Sequence, residues 1–80
     1  MLNISSETHL SLEQVKQRVK SFFGQKGLKL DVIEEGGDHM RFEGGGGYVD
    51  VAFCKEEKNN RLEIITQEWE NQVKKFLSEL

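Results

Sequence analysis

The chain has little of what defines a disulfide, a metal site or a membrane span. Its single cysteine, Cys54, excludes an intramolecular disulfide, and two histidines, His9 and His39, are too few for a recognisable zinc pattern. No apolar run approaches the length of a membrane-spanning helix, and residues 1–11 lack the basic start and apolar core of a signal peptide. We therefore expect a cytoplasmic protein with no membrane contact, no metal and no cofactor.

Charged residues are numerous but evenly mixed. Eleven Lys and Arg against fourteen Asp and Glu give a formal net charge of −3, and no block of one sign interrupts the sequence. A surface that binds nucleic acid or an anionic membrane needs clustered Lys and Arg, so we expect neither partner. The chain of 80 residues is long enough for one domain, residues 1–80, with a thin hydrophobic core.

Four consecutive glycines, Gly44–Gly47, interrupt the chain near its middle and are followed by alternating apolar residues. Glycine belongs where the backbone takes positive φ, and a primed turn with Gly45 and Gly46 at its tip is the commonest such place. A slip of one residue would separate the apolar pairs onto opposite faces, so the pattern selects one register. The predicted pairs are Gly44 with Gly47, Glu43 with Tyr48, Phe42 with Val49, Arg41 with Asp50, Met40 with Val51 and His39 with Ala52.

Two segments have the apolar period of amphipathic helices. The first begins at Ser11, which forms a capping-box pattern with Gln14, and ends near Gly24. The second is expected to be capped by Thr66, and its aromatic residue Trp69 is predicted to belong to the core. The apolar stripes are Leu12, Val15, Val19, Phe22 and Phe23 in the first helix and Trp69, Val73, Phe76, Leu77 and Leu80 in the second.

For the strand before the central hairpin, the number of loop residues decides which of its side chains face the core. Residues 28–33 and 39–43 both alternate with a period of two, which is typical of half-buried strands. An odd number of loop residues between them is needed to bring Leu30 and Val32 onto the face of Phe42. The sequence therefore predicts an odd loop.

The two ends of the sheet are less defined. Residues 61–65 read as the last strand, and loops of two or four residues before it are both compatible with the pattern. Residues 1–9 fit either an edge strand or a loose tail, and both alternatives stay open.

The predicted order is a strand in residues 1–9 if these are ordered, then a helix, four antiparallel strands and a helix. Each helix and the sheet has one apolar face, which favours a two-layer α+β domain with a meander sheet and both helices on one side. This order of elements resembles the half-domain of TATA-binding-protein-like folds and, more distantly, a trimmed helix-grip fold of Bet v 1-like proteins. The resemblance implies a fold and does not transfer a function.

The uncovered face of such a sheet is expected to mix charged and apolar side chains. A lone tyrosine, Tyr48, does not supply the stacking that a nucleic-acid-binding sheet needs. Three basic residues nearly balance four acidic ones there, namely Lys29, Arg41 and Arg61 against Asp31, Glu43, Asp50 and Glu63. We therefore predict a small non-catalytic domain that binds a protein partner or a second copy of itself, since a thin core gains from association. The predicted interaction residues are Ile33, His39, Arg41, Tyr48, Asp50, Ala52, Cys54 and Ile65.

Two alternative functions follow from the same residues. His39 lies diagonally across from Cys54 in the predicted register, so a base and a nucleophile could meet, but a flat sheet supplies no oxyanion hole and we expect no enzyme. The glycine run could bind a small ligand through its bare amides, although no strand-to-helix switch follows it as in nucleotide-binding loops. The residues of this alternative site are Gly44, Gly45, Gly46, Gly47 and Tyr48.

Overall fold

Five antiparallel strands and two helices make up the computed structural model, which describes residues 1–80. The sheet order is β1-β5-β4-β3-β2, so β1 and β2 are its edges. The predicted α+β class is confirmed, and the residues left open at the N-terminus form an edge strand. The elements are β1 (Leu2–Thr8), α1 (Leu12–Phe23), β2 (Asp31–Glu35), β3 (His39–Gly44), β4 (Gly47–Lys55), β5 (Asn60–Gln67) and α2 (Glu70–Ser78).

One hydrophobic core lies between the sheet and the two helices. Val15, Val19 and Phe23 of α1 and Val73 and Phe76 of α2 are fully or almost fully buried in it. Both helices therefore cover the same face of the sheet, and the other face is left open. Neither helix is long and apolar enough to cross a membrane. The strands contribute Met40, Phe42, Val49, Val51, Phe53, Leu62 and Ile64 to the core.

The start of α1 agrees with its sequence signal. The Ser11 hydroxyl accepts a hydrogen bond from the Gln14 backbone N–H at 3.2 Å, and the Ser11 N–H donates to the Gln14 side chain at 3.1 Å. The helix stops at Phe23, and the Gly24 N–H donates to the Lys20 carbonyl at 2.9 Å. The capping box and the glycine stop are both confirmed.

The central hairpin has the predicted register throughout. Each of the six pairs from His39 with Ala52 to Gly44 with Gly47 is present. Gly45 and Gly46 have φ values of +59° and +83°, as a type I′ turn requires. On the other side of β4, Lys55 pairs with Asn60, so four residues separate β4 and β5.

The connection between β2 and β3 differs from its prediction. The Gly36 N–H donates to the His39 carbonyl at 2.7 Å, which closes a turn with two residues at its tip. The expected odd loop is therefore wrong. The odd residue lies within β2 instead, where the register shifts between Val32 and Glu34.

The bulge in β2 brings Val32 opposite Phe42, which is the pairing that an odd loop would also have produced. Val32 pairs with Phe42, and Ile33 is the extra residue that restores this pairing after an even turn. Val32 is nevertheless 44% exposed and Ile33 50% exposed, because β2 lies at the edge of the sheet. The expected half-buried strand is thus exposed along its whole length, and only the preceding Leu30 is buried.

The end of the sheet and the start of α2 also differ from their predictions. Thr66 is fully buried within β5, and its hydroxyl donates to the Tyr48 carbonyl at 2.7 Å. It is therefore not a helix cap. Helix α2 begins at Glu70, and the residue at the N-cap position, Trp69, makes no side-chain capping hydrogen bond.

Candidate interaction site on the open sheet face

Every strand contributes alternate side chains to the open face. The strand registers place seven of the eight predicted interaction residues there, and the unpaired bulge residue Ile33 lines a depression on the same face with Asp31 and Arg41. Their role in binding stays a prediction. The face also includes β1, which the predicted site did not use. Its side chains are Asn3, Ser5 and Glu7 of β1, Arg61, Glu63, Ile65 and Gln67 of β5, Tyr48, Asp50, Ala52 and Cys54 of β4, His39, Arg41 and Glu43 of β3, and Asp31, Ile33 and Glu34 of β2.

Arg41 lies at the centre of an ion-pair network on this face. Its Nη1 is 3.2 Å from the Asp50 carboxylate, and its Nε is 3.0 Å from the Glu43 carboxylate. The guanidinium carbon lies 4.5 Å from the centroid of the Tyr48 ring, in cation–π range. The hydrogen bond to Glu43 raises the pKa of Arg41 above its ordinary value, and Asp50 adds to this effect. The predicted pairing of Arg41 with Asp50 is confirmed.

His39 extends the network towards β2. Its Nε2 is hydrogen-bonded to the Asp50 carboxylate, and its Nδ1 is 3.5 Å from the Glu34 carboxylate. Both ring nitrogens thus face carboxylates, and no hydrogen bond joins His39 to Cys54. The structure therefore does not assemble the base and nucleophile of the enzyme alternative.

Cys54 belongs to a second cluster around Arg61. The neighbouring Cys54 side chain is the main cause that raises the pKa of Arg61 above its ordinary value, and the charges of Glu56 and Glu63 add to it. Both carboxylates lie 3.7 Å from guanidinium nitrogens of Arg61. The Nε of Arg61 is buried without a hydrogen-bond partner. These contacts fix the arginine against the sheet.

The open face is more acidic than the sequence suggested. Lys29, which the predicted face included, precedes β2 with a φ of +62° and is outside the sheet. Glu7 enters with β1 and Glu34 through the bulge. Six carboxylates against two arginines leave a net charge of −4 when His39 is neutral. The six are Glu7, Asp31, Glu34, Glu43, Asp50 and Glu63.

The four glycines of the central turn each have a structural cause. A Cβ on Gly44 would lie 2.8 Å from the Leu30 side chain, and one on Gly47 would lie 2.1 Å from the Gln67 carbonyl oxygen. Gly45 and Gly46 take positive φ. The fold therefore requires the glycines without any ligand.

A depression of about 520 Å³ lies beside this turn. The carboxylates of Asp31 and Glu43 line it, and these two residues are directly opposite each other in the β2–β3 pair. Arg41 also lines the depression, but its guanidinium is already paired with Glu43 and Asp50, so an anion bound by the glycine amides would meet the unpaired carboxylate of Asp31. The geometry thus gives no support to anion binding at the turn.

Trp69 packs against the core as predicted, but only in part, and it makes a contact that the sequence does not predict. It is half-buried at the edge of the core, its indole N–H donates to the Gly44 carbonyl at 2.9 Å, and its ring covers Gly45. The residue therefore joins the start of α2 to the glycine turn. Its place as the first residue of an apolar stripe could not indicate a partner 25 residues earlier in the chain.

Comparisons with known proteins leave the function to be argued from the chain itself. No family model, no curated protein and no solved structure matches it. No group of three or more His, Cys, Asp or Glu side chains is arranged to hold a metal ion. The open face with its two ion-pair clusters is consequently the feature on which a functional proposal rests.

Proposed function

We propose that this protein is a non-catalytic cytoplasmic module whose open sheet face binds a basic surface of a protein partner. The observation that carries the proposal is an uncovered face with a net charge of −4 and two exposed isoleucines. Ile33 and Ile65 are 50% and 37% exposed. Opposite charge steers a partner to the face, and burial of the apolar side chains stabilises the complex.

The distribution of charge within the face supports a cationic partner. Asp31 and Glu43 are directly opposite each other, and like charges in that position are destabilising. Glu43 is compensated by Arg41, whereas Asp31 has no ion-pair partner. A lysine or arginine of a partner placed beside Asp31 would relieve this repulsion.

The same charge argues against self-association through this face. Two copies that met face to face would bring together two surfaces of net charge −4, which costs free energy unless counter-charges intervene. We therefore assign the face to a different protein. The expected resemblance in element order to TATA-binding-protein-like half-domains adds nothing to this choice, because a likeness of fold does not imply a shared partner.

A reducing compartment is part of the proposal. Cys54 is a free, half-buried thiol on the proposed binding face, near the end of β4, where oxidation would change the surface and the contact with Arg61. The glycine-turn alternative receives no comparable support, since the four glycines serve the fold.

The test compares two variants of equal charge change. Asp31→Lys with Glu63→Lys alters the open face, and Glu13→Lys with Glu79→Lys alters exposed positions of the helical side. Partners captured by the wild type from a reducing cell extract are identified by mass spectrometry, and the affinity of each purified partner is then measured for the three proteins.

The proposal expects a partner with a basic surface whose dissociation constant rises about tenfold or more for the open-face variant, as the loss of two or more charge pairs implies. The helical-side variant should bind within about twofold of the wild type. Equal losses in both variants, or the absence of any basic partner, would contradict the proposal.

A further inference from the structure

The sheet has two free edges, and they differ in their resistance to pairing with another strand. At one edge, β2 has five residues, a bulge at Ile33 and three carboxylates, those of Asp31, Glu34 and Glu35. Short length, a bulge and charge are the devices by which natural edge strands avoid association. This edge is protected.

At the other edge, β1 has none of these devices. It has seven residues, and its register with β5 is unbroken from Leu2 opposite Thr66 to Thr8 opposite Asn60. It contains one charged residue, Glu7, and neither lysine nor proline. Because β1 is paired on one side only, alternate backbone N–H and C=O groups point outward and can accept another strand.

The sequence of β1 is compatible with itself under two-fold symmetry. Directly opposed residues of an antiparallel pair lie on one side of the sheet, so a symmetric pairing must centre on a residue, and Ser5 is the middle of the strand. No two charges are then opposed. The same operation on β2 would oppose Asp31 to Glu35. The pairs expected for β1 are Leu2 with Thr8, Asn3 with Glu7, Ile4 with Ser6 and Ser5 with Ser5 of the second copy.

We propose that a second copy of this chain pairs antiparallel with β1, so that two sheets join into one continuous sheet of ten strands. The symmetry places all four helices on one side and both open faces on the other. The pairing uses the edge of the sheet and goes beyond the proposed function of the face. One strand pair is a small interface, below the roughly 1,200 Å² of stable complexes, so the dimer is weak.

The experiment introduces a charge of either sign at Ser5, the residue on the two-fold axis of the proposed dimer. Ser5 is exposed on the open face and lies opposite Glu63 of β5, so both Ser5→Lys and Ser5→Glu should keep the fold and its circular dichroism, with Ser5→Glu slightly less stable. Each variant opposes two like charges in a homodimer, whereas a mixture opposes lysine to glutamate. The control is Ile33→Lys, an exposed position of the protected edge.

Sedimentation of the wild type up to about 1 mM should show a species of twice the 9.2 kDa chain mass, since weak interfaces dissociate below such concentrations. The dimer dissociation constant should rise about fivefold for each Ser5 variant alone. In an equimolar mixture of the two variants it should return towards the wild-type value, and mixed dimers should make up more than the half of all dimers that random pairing gives. Ile33→Lys should dimerise as the wild type does. A wild type that stays monomeric, or a dimer that Ile33→Lys weakens and the Ser5 variants do not, would overturn the proposal.

Discussion

The two glycine-containing turns of this sheet differ in how closely the rest of the chain packs against their glycines. In the turn between β3 and β4, the rest of the chain packs against the glycines, with Trp69 on Gly45 and the Gln67 carbonyl against Gly47. In the turn between β2 and β3, a Cβ on Gly37 would meet nothing within 4 Å. The first turn is fixed by packing against its glycines, whereas Gly37 of the second turn is uncovered, and that turn is joined to β4 by a hydrogen bond from the Phe53 N–H to the Asp38 carbonyl at 2.8 Å. Glycine content alone therefore does not reveal which turn the fold depends on.

The largest effect is expected at the packed turn. Gly47→Ala should lower the free energy of unfolding by about 3 kcal/mol, because the added methyl group overlaps a backbone oxygen that cannot move without displacing β5. Gly37→Ala is the matched control, and it should change stability by no more than about 0.5–1 kcal/mol in either direction. Urea denaturation measures both. Similar losses at the two glycines would show that the turns do not differ.

Trp69 tests whether α2 holds the packed turn in place. Trp69→Ala should cost about 2–3 kcal/mol, less than the 3–5 kcal/mol of a fully buried aromatic, because the ring is half-buried. Trp69→Phe keeps a ring over Gly45 and loses the hydrogen bond to Gly44, so its expected cost is about 1 kcal/mol. Thermal denaturation ranks the two. A phenylalanine variant as unstable as the alanine variant would contradict this division.

The edge strand β2 should tolerate a deletion that would disrupt a central strand. Deletion of Ile33 removes the bulge and leaves Val32 opposite Phe42 and Glu34 opposite Arg41, so every other side chain keeps its face. We expect the free energy of unfolding to change by less than about 1 kcal/mol, since Ile33 is half-exposed at the edge. Amide NMR spectra of the deletion variant should show unchanged shifts in β4 and β5. Unfolding would mean that the bulge is structurally required.

The smallest effect concerns the start of α2, next to the Trp69 contact. Backbone hydrogen bonds lower the pKa of Glu70 below its ordinary value of 4.5. The ionised carboxylate therefore stabilises the folded state above pH 4.5, and this contribution is lost as the pH falls through the lowered folded-state pKa. Glu70→Gln should be slightly less stable than the wild type at pH 7 and equally stable at pH 2–3. A constant difference across this range would exclude the titration of Glu70 as its cause.

The two hairpins also show how far sequence reasoning reaches. The central register followed from alternation, because Phe42 and Met40 must share a face with Val49 and Val51 and only one pairing allows it. The β2–β3 loop could not be read in this way, since an odd loop and an even loop with a bulge place Val32 on the same face. The alternation shows that one extra residue is needed between Val32 and Phe42, but it does not show whether that residue lies in the loop or in the strand.

The sequence predicts which residues lie on the open face better than it predicts the net charge of that face. Strand alternation placed residues such as His39, Arg41 and Asp50 on one face, because a period of two is a local property. The net charge of the face depends on the pairing of β1 with β5 and on the bulge that turns Glu34 onto the face. Both are features of the tertiary structure that the local sequence does not specify. The Trp69 contact with Gly44 is likewise a long-range packing choice that no local signal specifies.

The four isoleucines of the chain can show directly whether the open face is the binding surface. Ile33 and Ile65 lie on the open face, whereas Ile64 is fully buried on the helical side and Ile4 packs against the core. We would record methyl NMR spectra of isoleucine-labelled protein in a reducing cell extract. We expect selective broadening of the Ile33 and Ile65 methyl signals. Broadening of Ile4 and Ile64 with the other two unchanged, or equal broadening of all four, would contradict this expectation.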